Sequence, residues 1–596
     1  PPAGGEGRGE GAPPPAPFRD VTAAAGIAFV HSNGATGEKL LPETMGGGVA
    51  FFDYDGDGDP DLLFVDSAGE HTGGVGAVLY RNDGPGPDGE PRFVDVTEES
   101  GLAAAVRTNP EDPFSAFYGM GVAAADYDGD GWIDLYLTAV GRNRLLRNRW
   151  GVFEDVTDQA GVAGAPGREH EWSTGAAFFD ADGDGDLDLF VSNYLEWSPE
   201  LDRAPEKVAE RTVATADGER ILTYGLPQTY RGAHPFLFLN QGDGTFREAS
   251  EQAGLHVTHS GSGEPVAKAL AVAPIDADRD GFTDLLIAND TTRNLFFHNR
   301  GPGEDGLPRF EEVGELWGLA YDPHGNTTGA MGVDWGHLDP SDNLSILIGN
   351  FHDEATSLYR AQGDPTFYAD EAQQAGIATA TRPALTFGLL LLDYDLDGRL
   401  DLLQANGHVE PDIHKIDPQQ HYRQPAQLFW NTGETAPGKP LFMEVPPDQL
   451  GDLTHPIAGR GATYADLDGD RDQDLVLTQI DGPPLVLRND QQSGHHLLRL
   501  RLRSHYPNTH ALGATVEINP AIAPLRRDLR PTRAYLSQVQ TDLSLALGPQ
   551  ALETALHQIV VTWPDGTRDS FAIGEIARSQ LLEQAHCPHA SVRIAE

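Results

Sequence analysis

The sequence predicts an all-β protein: a seven-bladed β-propeller of four-stranded blades, its ring closed by the N-terminal strand, followed by a small C-terminal β-domain. Three observations predict it. An acidic motif recurs along the chain, each copy runs into a short apolar stretch with strand periodicity, and two further markers keep step with it.

The acidic motif D-x-D-x-D-G-x-x-D-L reads DYDGDGDPDL from Asp53, DYDGDGWIDL from Asp126, DADGDGDLDL from Asp180, DADRDGFTDL from Asp276 and DYDLDGRLDL from Asp393. A sixth copy, DLDGDRDQDL from Asp466, carries Arg471 in place of the glycine, and HLDPSDNLSI from His337 is a decayed seventh that keeps only Asp339. The stretches LLFV, LYLT, LFVS and LLIA that follow are strands rather than helices. The second marker appears as LYRN, LLRN, LFLN, FFHN, LYRA, LFWN and LVLRN. The third is headed by Phe18, Phe93, Phe153, Phe246, Phe310, Phe367 and Phe442. This last element precedes the first acidic loop and is missing after the last LVLRN. The strand at Phe18 is therefore expected to complete the Asp466 blade and so remove two open sheet edges.

Aspartates at positions 1, 3, 5 and 9 of a tight loop supply hard carboxylate oxygens, the main-chain carbonyl at position 7 adds another, and glycine at 6 permits a left-handed turn. Such donors select calcium over zinc or copper. The expected calcium residues are Asp53, Asp55, Asp57, Asp59 and Asp61; Asp126, Asp128, Asp130, Trp132 and Asp134; and Asp180, Asp182, Asp184, Asp186 and Asp188. The later loops contribute Asp276, Asp278, Asp280, Phe282 and Asp284; Asp393, Asp395, Asp397, Arg399 and Asp401; and Asp466, Asp468, Asp470, Asp472 and Asp474. Five to six ions are expected. An EF-hand is excluded, because position 12 is Phe64 in the first copy and Leu137 in the second, inside a strand, where that motif needs glutamate.

The flanking stretches MGGGVAFFDYDGDG, YGMGVAAADYDGDG and LLQANGHVEPD make residues 18–490 resemble the FG-GAP/VCBS repeats of the cartilage acidic protein family and its bacterial relatives. From Gly494 the chain resembles the ASPIC/UnbV domain, through NTHALGATVEI at Asn508, YLSQ at Tyr535, LALG at Leu545 and VTWPDG at Val561. The resemblance implies secretion, calcium in the propeller and a binding role; it implies no known reaction. The expected organisation is a Pro/Gly-rich linker at 1–17, the propeller at 18–493, the β-domain at 494–585 and a tail at 586–596.

Composition narrows the partners. The 91 acidic and 41 basic residues give a net charge of −50, which repels the phosphates of nucleic acids. No apolar run approaches the about 18 residues of a spanning helix. Cys587 is the sole cysteine, so no internal disulfide forms. The start at Pro1 and the linker after it suggest an exported protein that has lost a signal peptide or anchor segment, placed outside the cell, at its surface or in the periplasm.

In an up-and-down blade, successive turns lie at alternate ends. The long insertions Asn193 to Pro235, Gln404 to Gln427 and Ala103 to Tyr118 are therefore expected on the face opposite the acidic loops. A protein or glycan partner is expected there, with Trp197, Tyr224, Tyr230, Arg231, His408 and Glu410 as candidate contacts. The leading expectation is an adhesion or scaffold module. The alternatives are an accessory subunit of a surface filament or membrane complex, and an extracellular hydrolase or lyase using acids such as Glu169, Glu171 or Glu410, although no catalytic signature is present.

Overall fold

The computed structural model describes residues 12–68, 73–87, 89–107, 117–164, 171–215, 217–341, 343–436, 438–491, 496–519, 525–547, 558–572 and 581–583. The linker up to residue 11, the middle of the Ala103 to Tyr118 insertion and the 586–596 tail lie outside these residues.

Among the described residues, 28 of the strands pair as seven four-stranded antiparallel meanders, each carrying one copy of the acidic motif in its first turn. In the Asp53 blade the strands are Val49–Phe52, Asp61–Val65, Ala77–Pro85 and Pro91–Asp95. The Asp466 blade is completed from the other end of the chain: Phe18–Asp20 runs antiparallel to Leu485–Asn489, with Phe18 opposite Asn489. One marker shifts by a residue. In the His337 blade the buried aromatic that heads the outer strand is Tyr368, and Phe367 is 54% exposed.

The ring closes because every sheet buries both faces. The inner strands are apolar on both sides, as in Phe117–Ala125, which is buried throughout. Each pair of neighbouring blades shares its own hydrophobic cluster, including the pair that joins the last blade to the first through Phe51, Phe64, Leu467 and Val476. At about 1.5–3 kcal/mol for each fully buried large side chain, these seams are the main cohesive force of the ring.

The segment after Gly494 is β-rich, with strands such as His496–Arg503, Thr515–Asn519 and Gln558–Thr562 around a core containing Leu500, Val516, Val561 and Trp563. The expectation of a domain separate from the propeller needs correction. The hairpin Thr532–Arg533 and Ser537–Gln538 leaves this domain and enters the central channel, where Gln538 pairs in parallel with Ala50 and Ala534 bridges Val333. The Gln538 side-chain amide accepts from Ala124 N–H at 2.8 Å and donates to Ala124 O at 2.9 Å, and Thr463 Oγ1 donates to Gln538 O at 2.7 Å. Tyr535 packs edge-on to Phe387 at 4.9 Å. The glycines of MGGGV and GRGA make room for the hairpin. A Cβ on Gly48 would lie 2.6 Å from Leu536 O, and one on Gly461 would lie 2.7 Å from Ser537 Oγ.

The opposite mouth of the channel is also closed. Asp202 accepts from Leu41 N–H at 2.8 Å and Trp197 Nε1 at 2.9 Å, and the Tyr230 hydroxyl donates to its other oxygen. Tyr224 donates to Glu43 at 3.1 Å. Burial pushes the Glu43 carboxyl up to about 7. No helix among the described residues is long and apolar enough to cross a membrane.

Candidate metal centres

Six of the seven acidic turns share one backbone. Positions 4 and 6 take left-handed torsions in each, from Gly56 at φ 76° and Gly58 at 102° to Gly469 at 78° and Arg471 at 75°. Arg279, Leu396 and Arg471 adopt this conformation without glycine, at a cost of roughly 1–2 kcal/mol each. Position 6 therefore tolerates arginine, and the Asp466 turn keeps its shape.

The carboxylates divide the work by position. The position-1 aspartate shapes the turn: Asp53 accepts from Gly56 N–H at 2.8 Å and Gly58 N–H at 3.1 Å, and Asp180 accepts from Gly183 at 2.7 Å and Gly185 at 3.0 Å. Positions 3 and 5 accept from the residue two further on, as Asp128 does from Asp130 at 3.3 Å and Asp130 from Trp132 at 3.0 Å. At position 7 the side chains of Trp132 and Phe282 pack on Gly56 and Gly183 of the preceding loops, at 3.5 and 3.3 Å from where a Cβ would sit. Arg399 instead pairs with Asp397 of its own loop and donates to Asn431 O at 2.9 Å.

Position 9 is a fully buried knot. Asp134 accepts from Tyr127 N–H at 3.1 Å and Asn148 N–H at 2.7 Å, and Asp61, Asp188, Asp284, Asp401 and Asp474 repeat the pattern. The asparagine is the last residue of the LYRN-type marker. Its side chain donates to the previous blade's loop: Asn148 Nδ2 to Tyr54 O at 2.8 Å, Asn240 to Tyr127 O at 2.9 Å and Asn299 to Ala181 O at 2.8 Å. The marker thus ties each acidic loop to its neighbour. The decayed blade makes no such tie to the loop before it, with Ser345 and Ala361 at the matching places, but its own loop is still held from the next blade by Asn431 Nδ2, which donates to Leu338 O at 2.8 Å. There Arg360 pairs with Asp339, so a guanidinium faces the carboxylate that stands at an expected acidic position.

These turns gather donors for a hard cation. One oxygen each from Asp53, Asp55 and Asp57, from Asp126, Asp128 and Asp134, from Asp180, Asp182 and Asp188, and from Asp393, Asp395 and Asp401 lie within 4.8 Å of one another. The Oδ1 atoms of Asp126, Asp276, Asp278 and Asp472 are buried without a hydrogen-bond partner. A buried carboxylate oxygen in that state is costly unless a cation meets it. Burial raises Asp53 to about 6 despite Arg501, and it raises Asp126, Asp182 and Asp276 to about 6 with neighbouring aspartates adding to the effect. The donor set therefore fits calcium.

Sequence reasoning did not foresee that the C-terminal domain sits on this face. Arg501 donates to Gly58 O at 2.8 Å and lies 3.5 Å from Asp53, while Arg499 lies 3.9 Å from Asp466. Thr509 Oγ1 donates to Asp126, and Arg527 donates to Gly398 O at 3.1 Å. Asp542 orders the two arginines at 2.7 and 2.9 Å. Burial would raise its carboxyl, but Arg501 and Arg499 hold it below the ordinary range. The signal was the alternation RLRLR at 499–503, which places arginines on one strand face.

The candidate partner contacts on the other face are mostly misplaced. Trp197, Tyr224 and Tyr230 are buried in the plug of the channel mouth, because aromatic rings in a long insertion find a core to cover. His408 is buried with its Nε2 3.3 Å from His352 Nδ1, and burial pushes it down to about 3. Glu410 is buried and paired with Lys39 at 2.6 Å. Of the six, Arg231 alone keeps a largely accessible side chain, at 47%, beside Glu196. Glu171 is buried, and Glu169 lies outside the described residues.

A family model described as FG-GAP-like repeat matches residues 53–137 and 126–191, and one described as ASPIC and UnbV matches 505–587. Cartilage acidic protein 1 of Mus musculus is 23% identical over 91% of this chain and 74% of its own length, and that of Homo sapiens is 22% identical over 91% and 72%. Among solved structures, a lectin of Agrocybe aegerita that recognises non-reducing terminal N-acetylglucosamine aligns at TM-score 0.35 and 13% identity, over 69% of this chain and 84% of its own. The Dos1 propeller aligns at TM-score 0.35 and 10% identity, over 80% and 96%. The chain is a β-propeller with a C-terminal β-domain, matched over residues 53–191 by the FG-GAP-like repeat model and over 505–587 by the ASPIC and UnbV model, and similar along most of its length to cartilage acidic protein 1.

Proposed function

We propose that this protein is an exported, calcium-clamped binding module of the adhesion or scaffold kind, which presents the face opposite the acidic loops to a protein or glycan partner. The observation that carries this reading is the division of the two faces. The acidic turns and the channel are occupied by the C-terminal domain, through Arg501, Thr509, Arg527 and the 532–538 hairpin. In the Asn193 to Pro235 insertion, away from the acidic turns, Leu226 is 65% exposed, Leu201 is 38% exposed and Arg231 keeps an accessible side chain. Loops held by a rigid scaffold are where recognition residues gather. Glu410, an acid that a catalytic reading would use, is buried and paired with Lys39 at 2.6 Å.

The test is a glycan and protein array probed with the labelled, calcium-loaded chain. The double variant Leu226→Asp, Arg231→Glu should bind its array ligand at least about tenfold more weakly while melting as the parent does. Unchanged binding by this variant would move the partner site elsewhere.

A further inference from the structure

One acidic loop differs from the others in the chemistry that overlooks it. The residue before the marker asparagine leans over its own blade's loop: Arg488 lies 3.8 Å from Asp468, Trp430 Nε1 donates to Asp395 at 3.2 Å, and Arg360 pairs with Asp339. In the Asp276 blade this place is taken by His298, from the sequence FFHN. Arginine brings a fixed charge and tryptophan a donor. A histidine can instead lend a lone pair.

His298 is held ready to do so. It is 2% exposed, packed 5.2 Å from Trp317, and its Nδ1 lies 2.9 Å from Asp284 Oδ1. Asp284 is the position-9 knot, and its Oδ1 also accepts from Asn299 N–H at 2.8 Å, so Nδ1 of the neutral ring carries the proton. The other nitrogen, Nε2, then faces Asp278 Oδ2 at 3.5 Å. A carboxylate that holds one imidazole nitrogen while the other meets a metal is the usual support for a histidine ligand. One donor atom each from Asp278, Asp280 and His298 lie within 4.8 Å of one another, and Asp276 Oδ1 and Asp278 Oδ1 are buried without hydrogen-bond partners. A cavity of about 280 Å³, lined by Asp276, Asp278, Arg279, Trp335 and His337, opens beside them and gives an ion a way in.

We propose that the Asp276 loop is a mixed nitrogen–oxygen centre for a transition-metal dication of the zinc class, with His298 Nε2 as its nitrogen ligand, while the other complete loops take calcium. Imidazole adds little for calcium, which prefers oxygen, but strongly favours zinc over it. The inference rests on the reading of the acidic loops as metal sites.

The test uses the full chain, stripped with chelator, loaded with two equivalents of Zn²⁺ in excess Ca²⁺ and dialysed against calcium buffer before both metals are counted. The parent should keep one zinc that His298→Arg loses, with no calcium lost from the other loops and at most one calcium taking the zinc's place in the variant. His298→Arg restores the residue found in the Asp53 and Asp126 blades. Asp278→Asn, which removes an oxygen donor and spares the histidine, should lose the zinc as well, so the outcome does not hang on one variant folding. Zinc kept undiminished by both variants, or no zinc retained against calcium, would overturn the proposal while leaving the calcium loops in place. A parent that retains neither metal would overturn the loop reading and the proposal together.

Discussion

Chelation of the calcium-loaded protein is expected to lower its melting temperature by roughly 10–20 °C. An ion that binds the folded loop and not the unfolded chain adds about 2.7 kcal/mol per site at a concentration one hundred times its dissociation constant, and several such sites sum to a large shift even in a long chain. The pH dependence carries a distinctive sign. Without metal, Asp53, Asp126, Asp182 and Asp276 titrate near 6 in the folded state against 3.8 as the ordinary value, so the fold binds protons more tightly than the unfolded chain does. Stability of the chelated protein should therefore be greatest below about pH 4 and decline as pH rises through 6. With calcium the trend reverses, because protons compete with the ion for the same oxygens. Melting curves recorded with and without chelator should converge in acid and separate above pH 6. A constant gap from pH 4 to 8 would contradict the assignment of these carboxylates.

Tyr535→Ala is expected to be the most damaging single change outside the metal loops. The ring is fully buried against Phe387 at the channel axis, and truncation of such aromatics costs about 3–5 kcal/mol. Gln538→Ala should follow closely, since it leaves both Ala124 N–H and Ala124 O unpaired in the channel wall, at about 1–3 kcal/mol for each such group. Beyond the loss of stability, the hairpin joins two bodies. The parent should melt in one calorimetric transition, and Tyr535→Ala should split it into two as the C-terminal domain comes away from the ring. Two transitions in the parent, or a variant that melts as the parent does, would show that the hairpin does not couple them.

The contrast between these two regions explains what could be read from the sequence. The acidic loops were legible because they repeat, and because each ligand lies within nine residues of the first. The asparagines at 148, 240 and 299 were legible as markers, but their partners are not, since Asn148 reaches Tyr54 in the preceding blade across 94 positions. The channel hairpin left no local trace. YLSQ reads as an ordinary strand fragment of the tail, and Gln538 as a surface polar residue, until the ring supplies Ala50 and Ala124 on either side of it. Trp197, Tyr224 and Tyr230 were misread for a related reason. An aromatic cluster in a long insertion has the same sequence whether it faces a partner or covers the protein's own core, and Asp202 decides the matter by gathering Trp197, Tyr230 and Leu41 over the channel mouth.

The claim that each intact acidic turn holds its own ion is tested most directly by counting calcium bound per chain, by equilibrium dialysis followed by metal analysis, in the parent, Asp128→Ala and Asp339→Ala. The parent should bind five to six. Asp128→Ala removes a donor from an intact loop and should bind one fewer, whereas Asp339→Ala alters the loop whose carboxylate already faces Arg360 and should bind as many as the parent. A parent that binds one ion or none, or an Asp339→Ala chain that loses an ion while Asp128→Ala keeps its full count, would contradict the account.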